Sequence, residues 1–524
     1  SWWERSIVTA QPSISSRTWH SSARGSRPGS RRRAEPAATR PSAPGATAKR
    51  PSRPEPAAAR PGGRLVVVSN RVAVPSGRQA TAGGLAVGVQ AALREAGGIW
   101  FGWSGTLVET AEARQHRSVT KGNITYELAD LTTAEHAAYY GGMANRTLWP
   151  LFHYRIDLTS FEHDWYRCYR EVNTWFARSL AERIEPSDRV WVQDFHLIPL
   201  GAELRRRGFR GRLGFFLHVP FPPPELMVTL PWYRELAQDL CAYDVVGFQT
   251  ATDRDHFVAL VTAELGATAE GESVRLGEHR FLAQAVPIGV DVREIERLAA
   301  SAEARRQALS LRRSLGERAL IIGADRLDYS KGILERLRGY HALLAKYPRH
   351  RREVVLMQIS APSREDLPEY RDLRRAIERQ VGHVVGRYGE ADWVPLRYLN
   401  RTHSRRSLAG FYRLARVGLV TPLRDGLNLV AEEFVVAQDA ADPGVLVLSR
   451  FAGAASHLED ALIVNPYDVC AVARALDQAL TMPLAERVER HGRLLAAIRR
   501  NDLAAWRRRC LAALAGDGNA ADNG

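Results

Sequence analysis

Two short stretches of the chain gather the residue types that hold a diphosphate. Ala324-Asp325-Arg326-Leu327-Asp328-Tyr329-Ser330-Lys331-Gly332 sets two cations beside a glycine, and Asp425-Gly426-Leu427-Asn428-Leu429-Val430 makes a second glycine-bearing turn. Each follows an apolar run, 319–323 and 417–420, so each reads as a buried strand that ends in a turn and leads into a helix. Side-chain cations, close-approaching glycine backbone and helix N-termini all meet negative charge, and here they share one sheet edge. Glu433, one turn into the second helix, is placed to accept hydrogen bonds from ribose hydroxyls. Either cation alone reads as a solvated turn. Together the two turns point to an enzyme that handles a nucleotide sugar.

Asp253-Arg254-Asp255 matches the D-x-D pattern that carries Mg2+ in many such enzymes. It follows Gln249-Thr250-Ala251-Thr252, and acids are favoured in the first turn of a helix, with Thr252 read here as the N-cap. The capping reading is preferred. No metal site and no cofactor are expected.

The elements that must position these residues repeat along the chain. Apolar strands are expected at 64–71, 189–193, 213–217, 244–248, 319–323, 353–360, 393–396, 417–421 and 445–448, with helical stretches such as 165–184 between them. Strands alternating with helices build parallel sheets covered on both faces, so the fold class is α/β. Two sheet domains facing a deep cleft are expected: 64–292, and 293–482 beyond Val286-Pro287-Ile288-Gly289-Val290-Asp291. Helices at about 483–515 are expected to pack back on the first, and 516–524 to fray.

Charge does not make the chain a nucleic-acid binder. The net charge is +15, but residues 1–63 hold twelve Lys/Arg against three Glu, leaving +6 for the other 461. That leader is rich in Pro, Ala, Ser and Arg, and is expected to be disordered. No uncharged apolar run is long enough to span a bilayer, so no membrane partner is expected. Cys168, Cys241, Cys470 and Cys510 form no C-x-x-C pair, which suits a reducing, cytoplasmic compartment.

Residues 64 to about 510 resemble the trehalose-6-phosphate synthase family, retaining glucosyltransferases with the GT-B fold of two Rossmann-like domains. The motifs are SNR at 69–71, AGGLAVG at 82–88, WFGWSG at 100–105, LWPLFHY at 148–154, FFLHVPFPPPE at 215–225, GFQT at 247–250, RLDYSKG at 326–332, LVTPLRDGLNLVAEE at 419–433 and PGVLVLS at 443–449. The resemblance implies UDP-glucose as donor, glucose 6-phosphate as acceptor and trehalose 6-phosphate as product. It implies Arg71, Tyr140, Trp149 and Arg364 around the acceptor, and Asp194 on an acceptor hydroxyl. Two guanidiniums suit a phosphate dianion. It further implies Gly83, Gly84, His218, Arg326, Lys331, Asp425, Asn428, Leu429, Val430 and Glu433 around the donor. His153 and His196 read as structural. The other reading of Asp194 is a helix N-cap, and those of Tyr140 and Trp149 are core aromatics.

The chain departs from the family at Gln193, where His is frequent, at Phe195, where Tyr is frequent, and at Glu432, where a base is frequent. Glu432 beside the nucleotide helix is expected to bear on which base is preferred, and UDP, GDP and ADP all stay open on the residues alone. No carboxylate pair of the glycosidase kind is evident. The route that the resemblance implies has the acceptor hydroxyl attack from the leaving-group face, with Asp194, His218, Arg326 and Lys331 as the catalytic set. A homo-oligomer is expected. The competing readings are a pseudo-glycosyltransferase on the same fold and a catalytically silent regulatory module.

Overall fold

Apolar runs closed by polar turns fold here into two sheets, in a computed structural model that describes residues 63–72, 74–75, 84–365 and 367–516. The leader, Gly83 and the last eight residues lie outside the described residues. The first sheet holds β1 (Leu65–Arg71), β2 (Gly98–Val108), β3 (His116–Lys121), β4 (Ile124–Thr132), β5 (Arg189–Gln193), β6 (Arg212–Phe216), β7 (Val245–Phe248), β8 (Thr268–Glu270), β9 (Ser273–Leu276) and β10 (His279–Ala285). Their order is β3-β4-β2-β1-β5-β6-β7-β10-β9-β8. The β3–β4, β9–β10 and β8–β9 pairs are antiparallel and the rest parallel.

The second sheet is wholly parallel. It comprises β11 (Ala319–Arg326), β12 (Val354–Ala361), β13 (Leu396–Leu399), β14 (Val417–Val420), β15 (Val445–Ser449) and β16 (Leu462–Val464), ordered β13-β12-β11-β14-β15-β16.

Each sheet reverses its strand order once in its parallel part. The first turns between β1 and β5, the second between β11 and β14. At such a reversal the flanking helices lie on opposite faces, and the strand C-termini open a crevice. Of the strand-end residues singled out above, Arg71 and Arg326 close β1 and β11, and Asp194 and Asp425 lie beyond the ends of β5 and β14.

The core follows the two-residue period of a strand buried on both faces. Along β1, Val66 and Val68 join one hydrophobic cluster while Leu65 and Val67 join the other. The second cluster runs on through Trp191 and Trp506 into the second sheet. Among the described residues no helix is long and apolar enough to cross a membrane.

Three features differ from the sequence reading. β2, β3, β4, β8, β9, β10 and β16 are strands that the apolar-run criterion passes over: β3 and β8 are largely exposed, β2 is broken by Ser104 and Gly105, and β9 and β16 are only four and three residues long. The strand expected at 393–396 is β13, at Leu396–Leu399. Buried Trp393 sits in a turn, its Nε1 donating to the Val354 carbonyl at 2.9 Å. The two C-terminal helices also divide. Leu484–Arg500 packs on the helix Leu429–Ala437 of the second sheet, where His491 Nε2 donates to the Val435 carbonyl at 3.0 Å. Leu503–Ala515 packs on the first sheet, with Trp506 5.0 Å from Trp191.

The chain thus crosses between the sheets twice, and the crossings touch. Leu503 N–H donates to the Val290 carbonyl at 3.1 Å, and a Cβ on Gly289 would lie 1.9 Å from the Asn501 oxygen. Only glycine admits that approach.

Candidate active site

Five described non-glycine residues hold positive φ: Tyr154, Asp194, Arg352, Arg364 and Asn428. Three of these belong to the predicted site. A left-handed backbone costs a side-chain-bearing residue about 1–3 kcal/mol and persists where the surroundings impose it, which is common at functional sites.

Asp194 ends β5 with φ 74° and makes no cap hydrogen bond to the turn Phe195–Leu197, so the N-cap reading fails. Its carboxylate accepts instead from His218 N–H at 3.2 Å. Burial pushes this acid up to about 6, against the opposing pull of the Phe195 and His218 amides and of Arg326 and Arg364. The His218 ring is held between two glutamines. Ile288 N–H donates to Gln249 Oε1 at 2.9 Å, so the Gln249 amide donates to His218 Nδ1 at 3.4 Å, and His218 Nε2 donates to Gln193 Oε1 at 3.0 Å. Burial takes His218 down to about 3. The imidazole is neutral with both nitrogens occupied, so what His218 presents to the cleft is its backbone.

Arg364 is the best-anchored cation. Its Nη1 donates to Asp328 Oδ2 at 2.8 Å and to the Tyr370 hydroxyl at 2.7 Å, while the guanidinium lies 4.1 Å from the Trp149 ring centroid. Asp328 is fully buried. Burial would raise its carboxyl, but Arg364 and Arg326 hold it down at about 2. Arg326, exposed at the end of β11, stands 5.6 Å from the same Trp149 ring. The cation expected at the acceptor phosphate and the one expected at the donor diphosphate therefore meet at one indole.

Arg71 emerges from β1, exposed, 5.4 Å from the Trp103 ring centroid. A Cβ at Gly105 would come within 2.8 Å of its guanidinium. Neither Arg71 nor Arg326 has a carboxylate partner among the described residues. Tyr140 stacks on His136 at 5.1 Å and on His196 at 5.9 Å, linking Trp103 to Phe195 and Trp149. It sits in His136–Leu148, wound with i to i+5 hydrogen bonds such as Trp149 N–H to the Ala144 carbonyl. Such π-helical turns are rare and gather at functional sites. His153 and His196 are kept neutral by burial, at about 4 and about 3.

On the donor side, Lys331 Nζ donates to Asp425 Oδ2, and Asn428 Nδ2 donates to the same oxygen at 2.9 Å. Asn428, with φ 77°, precedes Leu429–Ala437 without capping it through its side chain, so Leu429 and Val430 open an N-terminus that faces Lys331 and Asp425. Gly332, at φ 59°, would drive a Cβ to 2.1 Å from the Thr421 oxygen. Buried Arg336 ties the two turns together, donating to Asp325 at 2.7 Å, to Gln358 at 3.0 Å and to Thr421 at 3.0 Å. Gly84 is the first residue of the helix Gly84–Ala96.

Glu433 lines a small cavity with Arg405 and Tyr412, beside Ile295 and Leu298. Burial raises its carboxyl to about 7, moderated by Arg405. Glu432 departs from its expected place. It is buried, accepting from Val290 N–H at 3.1 Å and from His457 Nε2 at 2.9 Å, so it serves the crossover and not a base.

The D-x-D stretch is a cap, as preferred, but Thr250 is the N-cap in place of Thr252, accepting from Asp253 N–H at 3.1 Å. Asp253 is buried on Phe221 N–H at 3.0 Å, while Asp255 pairs outside with Arg254. Among the described residues no three His, Cys, Asp or Glu side chains converge as a metal site would need. Sequence reasoning missed Trp103, Asp328, Tyr370, Gln249 and Arg336. Trp103, Asp328 and Gln249 lay inside quoted motifs, whereas Arg336 reads as an ordinary helix-surface charge.

The sequence pattern of glycosyltransferase family 20 matches residues 64–516. The trehalose-6-phosphate synthase of Enterobacter sp. (strain 638) is 47% identical over 445 residues, 85% of this chain and 93% of that one. An α,α-trehalose-phosphate synthase (UDP-forming) from Burkholderia xenovorans, solved with glucose 6-phosphate, superposes with a TM-score of 0.82 at 43% identity, covering 86% and 100% of the two chains. The Escherichia coli protein solved with UDP-2-fluoro glucose gives 0.83 at 44%, covering 86% and 99%. The two-sheet α/β architecture is the GT-B fold of these neighbours.

Proposed function

The chain belongs to glycosyltransferase family 20, and we propose that it moves glucose from UDP-glucose to glucose 6-phosphate with retention, giving α,α-trehalose 6-phosphate and UDP. The observation that carries this reading is the meeting of Arg364 and Arg326 at Trp149, with the Lys331–Asp425 pair on the second reversal. A phosphorylated acceptor and a diphosphate donor together need cations in that arrangement.

In this reading 64–292 is the acceptor domain and 293–482 the donor domain. Arg71 and Arg364 take the acceptor phosphate, Tyr140 and Trp149 flank its sugar, and Asp194 orients the attacking hydroxyl. Gly83 and Gly84 approach the donor diphosphate, with Arg326, Lys331 and the amides of Leu429 and Val430 answering its charge. Asp425, braced by Lys331 and Asn428, and the His218 backbone hold the transferring glucose, and Glu433 takes the ribose. The bond from glucose C1 to the UDP oxygen breaks on the face where the acceptor oxygen bonds. The acceptor proton passes to the departing phosphate oxygen, and the cations stabilise the charge developing there. Closure around the pair keeps water from the oxocarbenium-like centre. A cytoplasmic homo-oligomer completes the proposal.

The test is UDP release from UDP-glucose with and without glucose 6-phosphate, in EDTA, repeated with GDP- and ADP-glucose. Acceptor-dependent release of UDP matched by a phosphorylated non-reducing disaccharide is expected. Release indifferent to the acceptor, or none with any donor, would refute the assignment.

A further inference from the structure

Away from the cleft, on the outer face of the helix His163–Ala181, lies a cavity of about 510 Å³, within the range that small-ligand sites occupy. Five arginines line it: Arg114, Arg167, Arg170, Arg178 and Arg207. Arg167 meets Asp164 at 3.0 Å and the one lining carboxylate, Glu171, at 3.8 Å, both exposed pairs that contribute little. The partners of Arg114 and Arg170, namely Glu135, Asp239 and Glu203, are not part of the lining. Arg178 and Arg207, both exposed, have no carboxylate partner among the described residues. The wall also holds Trp175, with the Arg114 guanidinium 4.9 Å from its ring centroid.

The two unpaired guanidiniums of Arg178 and Arg207, on a concave surface beside three paired ones, favour an anion, and their planar donors match a phosphate two at a time. Trp175, with Arg114 over one face of its ring, adds an apolar wall against which a flat body can pack.

The same helix reaches the cleft from its other side. Tyr169 OH donates to the Phe195 carbonyl at 2.7 Å, and Asn173 Nδ2 donates to the His196 carbonyl at 3.2 Å. These are the two residues after Asp194. Arg114 in turn pairs with Glu135, which closes the capping box on Thr132 where the segment carrying Tyr140 begins. We propose that this cavity is a second anion site, taking a phosphomonoester with a flat body, and that its occupancy is felt at the acceptor end of the cleft through the 163–181 helix. The binding half stands apart from the proposed function; the coupling half rests on it.

AMP is a suitable probe. Isothermal titration into the enzyme with its cleft filled by UDP and glucose 6-phosphate is expected to show one further site. The double variant R178A/R207A, which breaks no ion pair among the described residues and leaves basal turnover intact, is expected to weaken it at least tenfold. At saturating UDP-glucose, AMP is expected to shift the KM for glucose 6-phosphate at least twofold in the wild type and not in the variant. No AMP binding, or equal binding by both proteins, would overturn the site. An unmoved KM while AMP binds would overturn the coupling.

Discussion

At the scale of single residues, two acids near the same arginines are driven in opposite directions, and contact decides which way. Asp328 touches Arg364 at 2.8 Å and is held at about 2, whereas Asp194, with only amides in reach, is pushed by burial up to about 6. For Asp328 the folded value lies below the unfolded one of about 3.9, so its stabilisation is present above pH 4 and lost as pH falls toward 2. A shift of about two units corresponds to about 3 kcal/mol. D328N is therefore expected to lower stability by about that much at pH 7 in chemical denaturation, with a difference that shrinks as pH falls from 4 to 2. A difference constant over that window would refute the pairing. For Asp194 the sign is reversed: it gains a proton as pH falls through about 6, and a protonated acid is a much weaker acceptor for the attacking hydroxyl than the carboxylate. The kcat of the wild type should fall below that pH. D194N should be about a hundredfold slower, as for a displaced reactant, and lack that limb. The second ionisation of the substrate phosphate falls in the same range. It acts on both proteins, so the limb's loss in D194N isolates the enzyme's carboxyl.

At the scale of elements, what the sequence made legible was the strand ends. Arg326, Lys331, Asp425 and Asn428 follow uninterrupted apolar runs, and a glycine or polar turn after such a run is visible without coordinates. The rest depended on contacts remote in sequence. Arg336 looks like one more charge on a helix, and only its reach across β11, β12 and β14 to Asp325, Gln358 and Thr421 reveals the brace. The π-helical winding of His136–Leu148 has no mark in its residues, where adjacent Gly141 and Gly142 weaken any helix reading. Glu432 misled for the same reason: an acid in a first turn is ordinary, and its partner Val290 is 142 residues away. Removing it leaves a buried amide and His457 without an acceptor, a loss of about 1–3 kcal/mol. E432A should accordingly unfold at lower temperature by calorimetry, while its preference among UDP-, GDP- and ADP-glucose stays that of the wild type. A changed base preference at unchanged stability would return Glu432 to the nucleotide.

At the scale of the whole molecule, each sheet carries half of a site, and only their approach completes it. Trp149 from the first meets Arg326 and Arg364 from the second, Arg424 donates to the Tyr154 hydroxyl at 2.7 Å, and Arg146 lies 3.6 Å from Glu369. One meeting at the cleft is backbone on backbone. A Cβ on Gly426 would fall 2.2 Å from the His218 carbonyl oxygen and 3.2 Å from Val219 Cα, and neither atom belongs to a side chain that could swing away. G426A should therefore be relieved by parting the sheets at the cleft. The clash is confined to the cleft and leaves the hydrophobic clusters packed, so thermal unfolding should move little. UDP contacts mostly the second sheet in the proposed reading and should bind within a few fold of the wild type by titration. Turnover with glucose 6-phosphate needs both halves in register and should fall a hundredfold or more, since a displacement of about 1 Å between reactants is enough for that. Turnover like that of the wild type would show that the His218–Gly426 approach is not what aligns the two substrates. Loss of UDP binding in proportion to turnover would place the damage in the donor turn itself.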